Sequence, residues 1–336
     1  MSLRIAKPGL LTTVQDGGRW GLQHLGVVPC GAMDRVALAL ANALVGNRAG
    51  EAALEVTLLG PQIEFEEDAL VALCGAEFDA HAGDAELPRD RPVFLRAGTV
   101  LTLRRAARGT RAYLAVAGGI AVESRLGSRS TYVPARFGGL EGRALRAGDL
   151  LPLAPNASQL AAERYGRLSA RASSRGGVQS VRWSAPALTL PEHEPIVLHA
   201  IRGRHYDDFD AESQRAFFDA TWRVSPDSNR MGFRLAGPVL ARPRGGEILS
   251  EPTCLGTVQV PANGAPIVLM ADHQTTGGYP KVAEVAGADV PRLAQLAPGG
   301  TLRFALCTLG EALELRAALN ARMHAALRAI SWEYGE

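Results

Sequence analysis

The stretch Asp272-His-Gln-Thr-Thr-Gly-Gly-Tyr-Pro-Lys281 joins a carboxylate, an imidazole, an amide, two hydroxyls, a phenol and an ammonium within one short segment. A loop needs glycines here, but not so many different polar groups. The closing lysine is the most informative. Lysine and arginine together number 36, yet only Lys7 and Lys281 are lysines. An ammonium is a compact point charge whose pKa falls on burial, whereas a guanidinium is planar and stays charged. Keeping a lysine here, in a chain that uses arginine almost everywhere else, points to a role arginine would not fill. Asp272 follows the apolar run 267–271 and is expected at the rim of a barrel. Thr275, Thr276, Gly277 and Gly278 are expected to form a tight turn whose N–H groups make an anion nest, with Tyr279 and Lys281 beyond it. Asp272 and Lys281 are thus candidate catalytic groups, and Gln274 to Tyr279 candidate ligand contacts. The plain alternative is a wide hairpin loop, with Asp272 capping the turn and Lys281 in solvent.

Three further polar clusters stand out, and Ser228-Asn229-Arg230-Met231 joins the set around Asp272. In Thr12-Thr-Val-Gln-Asp-Gly-Gly-Arg19, the side chains of Gln15, Asp16 and Arg19 surround a Gly-Gly turn. They present donors and one carboxylate to a small polar ligand, unless Asp16 merely bonds its own backbone at the end of an N-terminal strand. Asp34 in Gly31-Ala-Met-Asp34 directly precedes an apolar-periodic segment, so helix N-cap is its first explanation and a ligand role its second. That helix N-terminus would also help to hold an anion. In Gly127-Ser-Arg-Ser-Thr131, hydroxyls flank Arg129 and would cradle a carboxylate or phosphate; a solvated arginine explains it as well.

These groups need a scaffold. Short apolar runs at 62–65, 69–74, 93–95, 100–104, 111–117, 196–200, 257–260, 267–271 and 301–306, bounded by Gly, Pro and Asp, predict a mainly-β chain built as a barrel or sandwich. Helices are expected at 35–44, 211–221 and, as a long C-terminal element, 311–330. A faint repeat, with Asn47-Arg48 and Gly60-Pro61 in the first half and Asn229-Arg230 and Gly237-Pro238 in the second, suggests two related β domains. They are placed at 1–155 and 186–310, with a linker at 156–185 and a terminal helix at 311–336. The bulk numbers agree with an ordinary globular protein: 336 residues, 47% hydrophobic and a formal charge of +2. That charge gives no reason to expect nucleic acid or an acidic membrane as partner. Cys30, Cys74, Cys254 and Cys307 form no C-x-x-C pair, so neither a zinc site nor a disulfide framework is indicated. No run of about 18 apolar residues occurs, and the expectation is a soluble cytoplasmic protein with no metal. Neither lysine follows a glycine as a Walker A loop requires. Gly127-Ser-Arg-Ser-Thr131 is not a G-x-S-x-G elbow.

Seven motifs stand in family order: Gly9-Leu-Leu-Thr-Thr-Val-Gln-Asp-Gly-Gly-Arg, Gly31-Ala-Met-Asp, Ala41-Asn-Ala-Leu-Val-Gly-Asn, Leu114-Ala-Val-Ala-Gly-Gly-Ile, Leu126-Gly-Ser-Arg-Ser-Thr, Ser228-Asn-Arg-Met-Gly and Gln274-Thr-Thr-Gly-Gly-Tyr-Pro-Lys. Through them the chain resembles the allophanate hydrolase subunit 2 family, also called the biotin-dependent carboxyltransferase family, over about residues 3–310. His273 stands where arginine or another residue is expected before Gln-Thr-Thr, which speaks against an arginine-based role there. The resemblance implies two cyclophilin-like β barrels. It also implies a subunit of ATP-dependent 5-oxoprolinase, which opens 5-oxoproline to L-glutamate together with partner subunits A and B. ATP would then be bound by, or shared with, a partner. On this reading the site lies between the barrels. Arg19 or Arg230 would hold the substrate carboxylate. Lys281 and the 275–278 turn would stabilise charge on the lactam oxygen or a phosphoryl group, and Asp272 or Asp16 would orient the substrate or accept a proton. Two alternatives follow from the same family. One is carboxyl transfer from carboxybiotin to urea or a related amide, biotin being needed only here; the other is a non-catalytic regulator that antagonises a kinase inhibitor.

Overall fold

The computed structural model describes residues 2–154, 158–172, 178–243, 246 and 248–335. Contacts divide the chain into two units: Met1–Arg19, Cys30–Leu190 and Arg322–Glu336 form the first, and Trp20–Pro29 with Pro191–Ala321 the second.

The first unit carries β1 (Ser2–Lys7), β2 (Leu11–Gln15), α1 (Arg35–Leu44), β3 (Ala53–Thr57), β4 (Gln62–Phe65), β5 (Ala69–Ala82), β6 (Ala85–Glu86), β7 (Pro92–Leu95), β8 (Val100–Val116), β9 (Leu150–Pro152), α2 (Gln159–Ser169) and β10 (Gln179–Ser180). Its ten strands make one sheet in the order β10-β7-β5-β8-β4-β1-β9, with β3 on β8 and β2 on β3. The spine is the antiparallel pair β5 and β8. The two short strands expected at 100–104 and 111–117 are one strand. Its register against β5 slips between Gly75 and Ala80, so the pair bends rather than breaks. Gly75 permits this: at φ +102° its Cβ would lie 2.5 Å from the Arg111 carbonyl oxygen. Both faces of the spine are buried. Val71 and Leu73 pack into one core with Leu54, Val56 and Leu114. Leu70, Ala72 and Tyr113 pack on the other against Leu40, Ala41 and Leu44 of α1. That explains the unbroken apolar run at 69–74. Within the span expected as a linker, α2 buries Ala161 and Leu168 in this second core. Residues 155–157 and 173–177 of that span lie outside the described residues.

The second unit contains β11 (Ile196–Arg202), α3 (Ala211–Asp219), β12 (Trp222–Val224), β13 (Gly232–Ala236), β14 (Glu251–Pro252), β15 (Thr257–Gln259), β16 (Ile267–Leu269), β17 (Thr276–Gly277), β18 (Lys281–Val285), α4 (Val290–Leu293) and β19 (Thr301–Leu306). Seven of these strands close a barrel in the order β11-β18-β15-β16-β13-β12-β19. Only β11 and β19 run parallel. Phe217 of α3 stacks on Phe304 at 4.4 Å and meets Trp222, fixing the helix against the barrel wall. The mainly-β expectation holds, with one closed barrel and one large sheet. One local expectation does not. Thr276 and Gly277 form no tight turn but a short strand paired with Glu251 and Pro252. Neither Gly277 nor Gly278 has positive φ, so the anion nest expected there is not formed. The last helix, α5, spans Leu309–Tyr334. No helix among the described residues is long and apolar enough to cross a membrane.

Candidate functional site

In the first unit, the Gly-Gly loop after β2 is held by a carboxylate. Asp16 accepts hydrogen bonds from the Gly18 N–H (2.8 Å), the Ser128 and Ser130 hydroxyls (2.6 and 2.5 Å) and the Arg129 N–H (2.5 Å). Four donors on one carboxylate organise both loops and occupy the lone pairs a proton acceptor would need. Gln15 is fully buried, its amide N–H groups donating to Thr13 Oγ1 and the Thr131 carbonyl, while its Oε1 has no partner. Arg129 spans Glu51 (3.1 Å) and the Val122 carbonyl. The Ser-Arg-Ser-Thr stretch is therefore drawn onto the Asp16 loop.

Arg19 differs from all of these. It is 2% exposed, donates through Nη2 to the Ser130 carbonyl at 2.6 Å, and lies 5.0 Å over the Phe137 ring. Its Nε and Nη1 have no hydrogen-bond partner, and no carboxylate lies within ion-pair distance among the described residues. Burying a guanidinium without an anion is costly. An incoming anion removes that cost.

Asp34 caps α1: one oxygen accepts from the Ala37 N–H at 3.0 Å and the other from Thr189 Oγ1 at 2.5 Å. Sequence reasoning missed the groups behind it. Tyr113 accepts from the Asp34 N–H (2.7 Å) and donates to Glu55 (2.7 Å), which also accepts from the Met33 N–H. Burial, then Glu55, pushes the Tyr113 hydroxyl well above its usual pKa. Glu55 in the middle of the apolar strand Ala-Leu-Glu-Val-Thr was the available signal. Replacing Tyr113 with Phe removes the hydroxyl that accepts from the Asp34 N–H and is one of the donors to Glu55 Oε2, so a loss of about 1–3 kcal/mol in denaturant unfolding is expected. An unchanged midpoint would mean that this network does not hold the fold.

In the second unit, Asp272 and Arg230 form a buried two-pronged pair, both contacts at 2.9 Å. The side chains are 3% and 7% exposed. Asn229 is exposed and accepts from the Met231 N–H. Lys281 is 7% exposed; its Nζ lies 2.9 Å from Glu251 Oε1 and donates to the Pro252 carbonyl. Its hydrogen bond to Lys281 holds the Glu251 carboxyl below its usual range. Register explains the neighbours: β15 and β18 place Gln259 beside Lys281 and Thr257 beside Glu284. Glu284, bonded by Thr257 Oγ1 at 2.7 Å, is pushed up by burial. Gln274 donates to Gln259, and the Thr275 carbonyl accepts from the Thr253 N–H. Thr276 and Tyr279 are exposed, and Gly277 and Gly278 half-buried. His273 is 3% exposed and burial lowers its pKa, so it is a neutral imidazole rather than a cation. Glu251, Gln259 and Glu284 were not singled out from sequence, although for the last two a polar residue inside an apolar run, Val258-Gln-Val260 and Val282-Ala-Glu-Val285, was the sign.

A family model, "Carboxyltransferase domain, subdomain A and B", matches residues 25–306. The chain belongs to the carboxyltransferase-domain family. Among members of this family, a 5-oxoprolinase subunit of Escherichia coli K12 is 43% identical over 314 residues, spanning 94% of each chain. The Haemophilus influenzae protein of the same name is 37% identical over 90% of this chain and 91% of that one. The crystal structure of Kluyveromyces lactis urea amidolyase superposes with a TM-score of 0.84 at 30% identity, covering 97% of this chain but 20% of that one. This carboxyltransferase-domain chain thus spans about a fifth of that larger protein.

Proposed function

We propose that the chain is a subunit of a cytoplasmic, ATP-dependent 5-oxoprolinase that opens 5-oxoproline to L-glutamate together with partner subunits A and B. Arg19 carries this reading. A buried guanidinium with no carboxylate beside it suits a substrate that brings one. 5-Oxoproline does; urea does not. Arg230 is already committed to Asp272, which leaves Arg19 as the holder. The end-to-end likeness to two proteins named as 5-oxoprolinase subunits supports the same choice. In the second unit, and independently of Arg19, Lys281 is proposed as a donor to negative charge that develops in the reaction. Asp16 and Asp272, each tied by hydrogen bonds, act by orienting rather than by accepting a proton. Lys281 opens a strand, whereas a P-loop lysine opens a helix, and the proposal accordingly assigns the nucleotide to a partner or to a site shared with one.

In the reconstituted complex, Arg19→Gln is expected to raise KM for 5-oxoproline at least tenfold while changing kcat less, as loss of uniform binding does. An unchanged KM would sink the assignment. The likeness to urea amidolyase keeps a second reading, carboxyl transfer from carboxybiotin to an amide. It predicts activity that needs a biotinylated carrier protein.

A further inference from the structure

Opening a lactam with water moves a proton: it leaves the attacking water, and the ring nitrogen must gain one as its bond to carbon breaks. Asp16 and Asp272 have both carboxylate oxygens engaged, so neither is free to carry it. Glu284, in the second unit, is held differently.

Residues three apart on a regular strand point to opposite faces. β18 is not regular. Its register against β15 slips between Val258 and Gln259, so that Thr257 lies across from Glu284 and Gln259 across from Lys281. Thr257 and Gln259, two apart, share a face, and residues opposite each other in an antiparallel pair share theirs. The bulge therefore turns the Lys281 ammonium and the Glu284 carboxyl to one side of the β15–β18 pair, as bulges beside active sites do when they re-aim a side chain.

Glu284 also keeps one oxygen open. The Cys254 N–H donates to Thr257 Oγ1 at 3.1 Å, and the hydroxyl in turn donates to Glu284 Oε2 at 2.7 Å. Oε1 has no hydrogen-bond partner among the described residues and is not sealed from solvent. Burial raises the pKa of this carboxyl, with the Thr257 hydroxyl and Lys281 pulling the other way and Glu251 adding to the rise. The Cys254 thiol, pushed up by its own burial and then by Glu284, is the other titratable group beside it. A glutamate raised in this way exchanges its proton closer to neutral pH than an exposed one does.

We propose that Glu284 is a catalytic residue of the second unit, its open oxygen taking a proton from the water that attacks the lactam carbonyl carbon and returning it to the ring nitrogen as the carbon–nitrogen bond breaks. The water oxygen stays on the carbon, so 5-oxoproline and one water give L-glutamate. The inference rests on the 5-oxoprolinase reading and on the role of Lys281 given above, and it names the group that moves the proton.

Glu284→Gln in the reconstituted complex tests it, since an amide keeps an acceptor for Thr257 but cannot take the proton. Its kcat for 5-oxoproline should fall about 10²-fold or more, the low end of what one acid–base group contributes, with the melting temperature unchanged. Glu284→Asp, which keeps a carboxyl one methylene shorter, should recover part of the loss. In wild type, kcat/KM should rise with pH through the Glu284 pKa, because only the carboxylate accepts a proton; the residual rate of Glu284→Gln should lack this limb. His205, whose Nδ1 accepts from the Lys281 N–H at 3.2 Å and whose pKa burial lowers, is the nearby group that would give a limb of its own. A limb that survives in Glu284→Gln places the proton elsewhere and overturns the proposal. Turnover within twofold of wild type overturns it too, as does a lowered melting temperature with turnover retained by the folded fraction. A wild-type complex that does not turn over 5-oxoproline overturns the 5-oxoprolinase reading itself, and this proposal with it.

Discussion

Lys281→Met should lower 5-oxoproline-dependent ATP hydrolysis by the reconstituted complex about 10²–10³-fold, the usual loss when one donor to a developing oxyanion is removed. Methionine keeps the unbranched stem and takes away only the charge. Arginine should not restore the rate. Nζ sits beneath the short β14–β17 pair, between Glu251 at 2.9 Å and the Pro252 carbonyl, where a compact ammonium fits and a planar fork does not. The substitution also leaves Glu251, whose low pKa depends first on Lys281, with Arg204 at 3.0 Å as its remaining close cation. A purely structural lysine would therefore show itself as a lowered melting temperature with turnover retained in the surviving enzyme. Turnover within twofold of wild type, measured on folded complex, would remove Lys281 from the chemistry.

Much of the scaffold was legible because its signals are local. Asp34 followed by Val36, Ala37, Leu40 and Leu44 announces a capped helix, and α1 spans the expected residues. The turn-bounded runs at 62–65 and 301–306 are strands at those bounds. What failed depends on partners distant in sequence. Residues 105–110 fell between two expected strands, yet β8 runs through them because β5 goes on pairing across the slipped register and Glu77 supplies an ion pair for Arg108. The two glycines after Thr276 looked like a turn, but Glu251 and Pro252 pair with that segment and extend it. The polar groups of the candidate site were mostly visible as residue types. Their roles were not, since saturation of Asp16 by Ser128 and Ser130 and the isolation of Arg19 are properties of contacts more than 100 residues apart. The residues sequence reasoning missed, Glu55, Glu251, Gln259 and Glu284, are each polar positions in or beside short strands. Their meaning appears only when the cross-strand neighbour is known.

Asp272→Ala should destabilise the chain by about 3–5 kcal/mol, because it breaks a buried two-pronged ion pair by removing one of its members. The same physics gives an unequal pair of outcomes. Replacing both partners, as in Arg230→Met with Asp272→Leu, removes the charges together. That double variant should lie within about 1 kcal/mol of wild type or exceed it, since the desolvation of two ions disappears along with their attraction. Equilibrium urea unfolding of the two single variants and the double gives the coupling directly. Single variants that lose less than about 1 kcal/mol would mean that solvent reaches the pair, contrary to its 3% and 7% side-chain exposure. The double variant also separates structure from chemistry. If Asp272 only holds Arg230 and the 270–274 segment in place, the stable double variant retains most of its 5-oxoproline-dependent turnover. If the carboxylate itself takes a proton, the double variant folds and is inactive. The geometry favours the first result, because both carboxylate oxygens already face the guanidinium at 2.9 Å, and a proton acceptor would need one of them free.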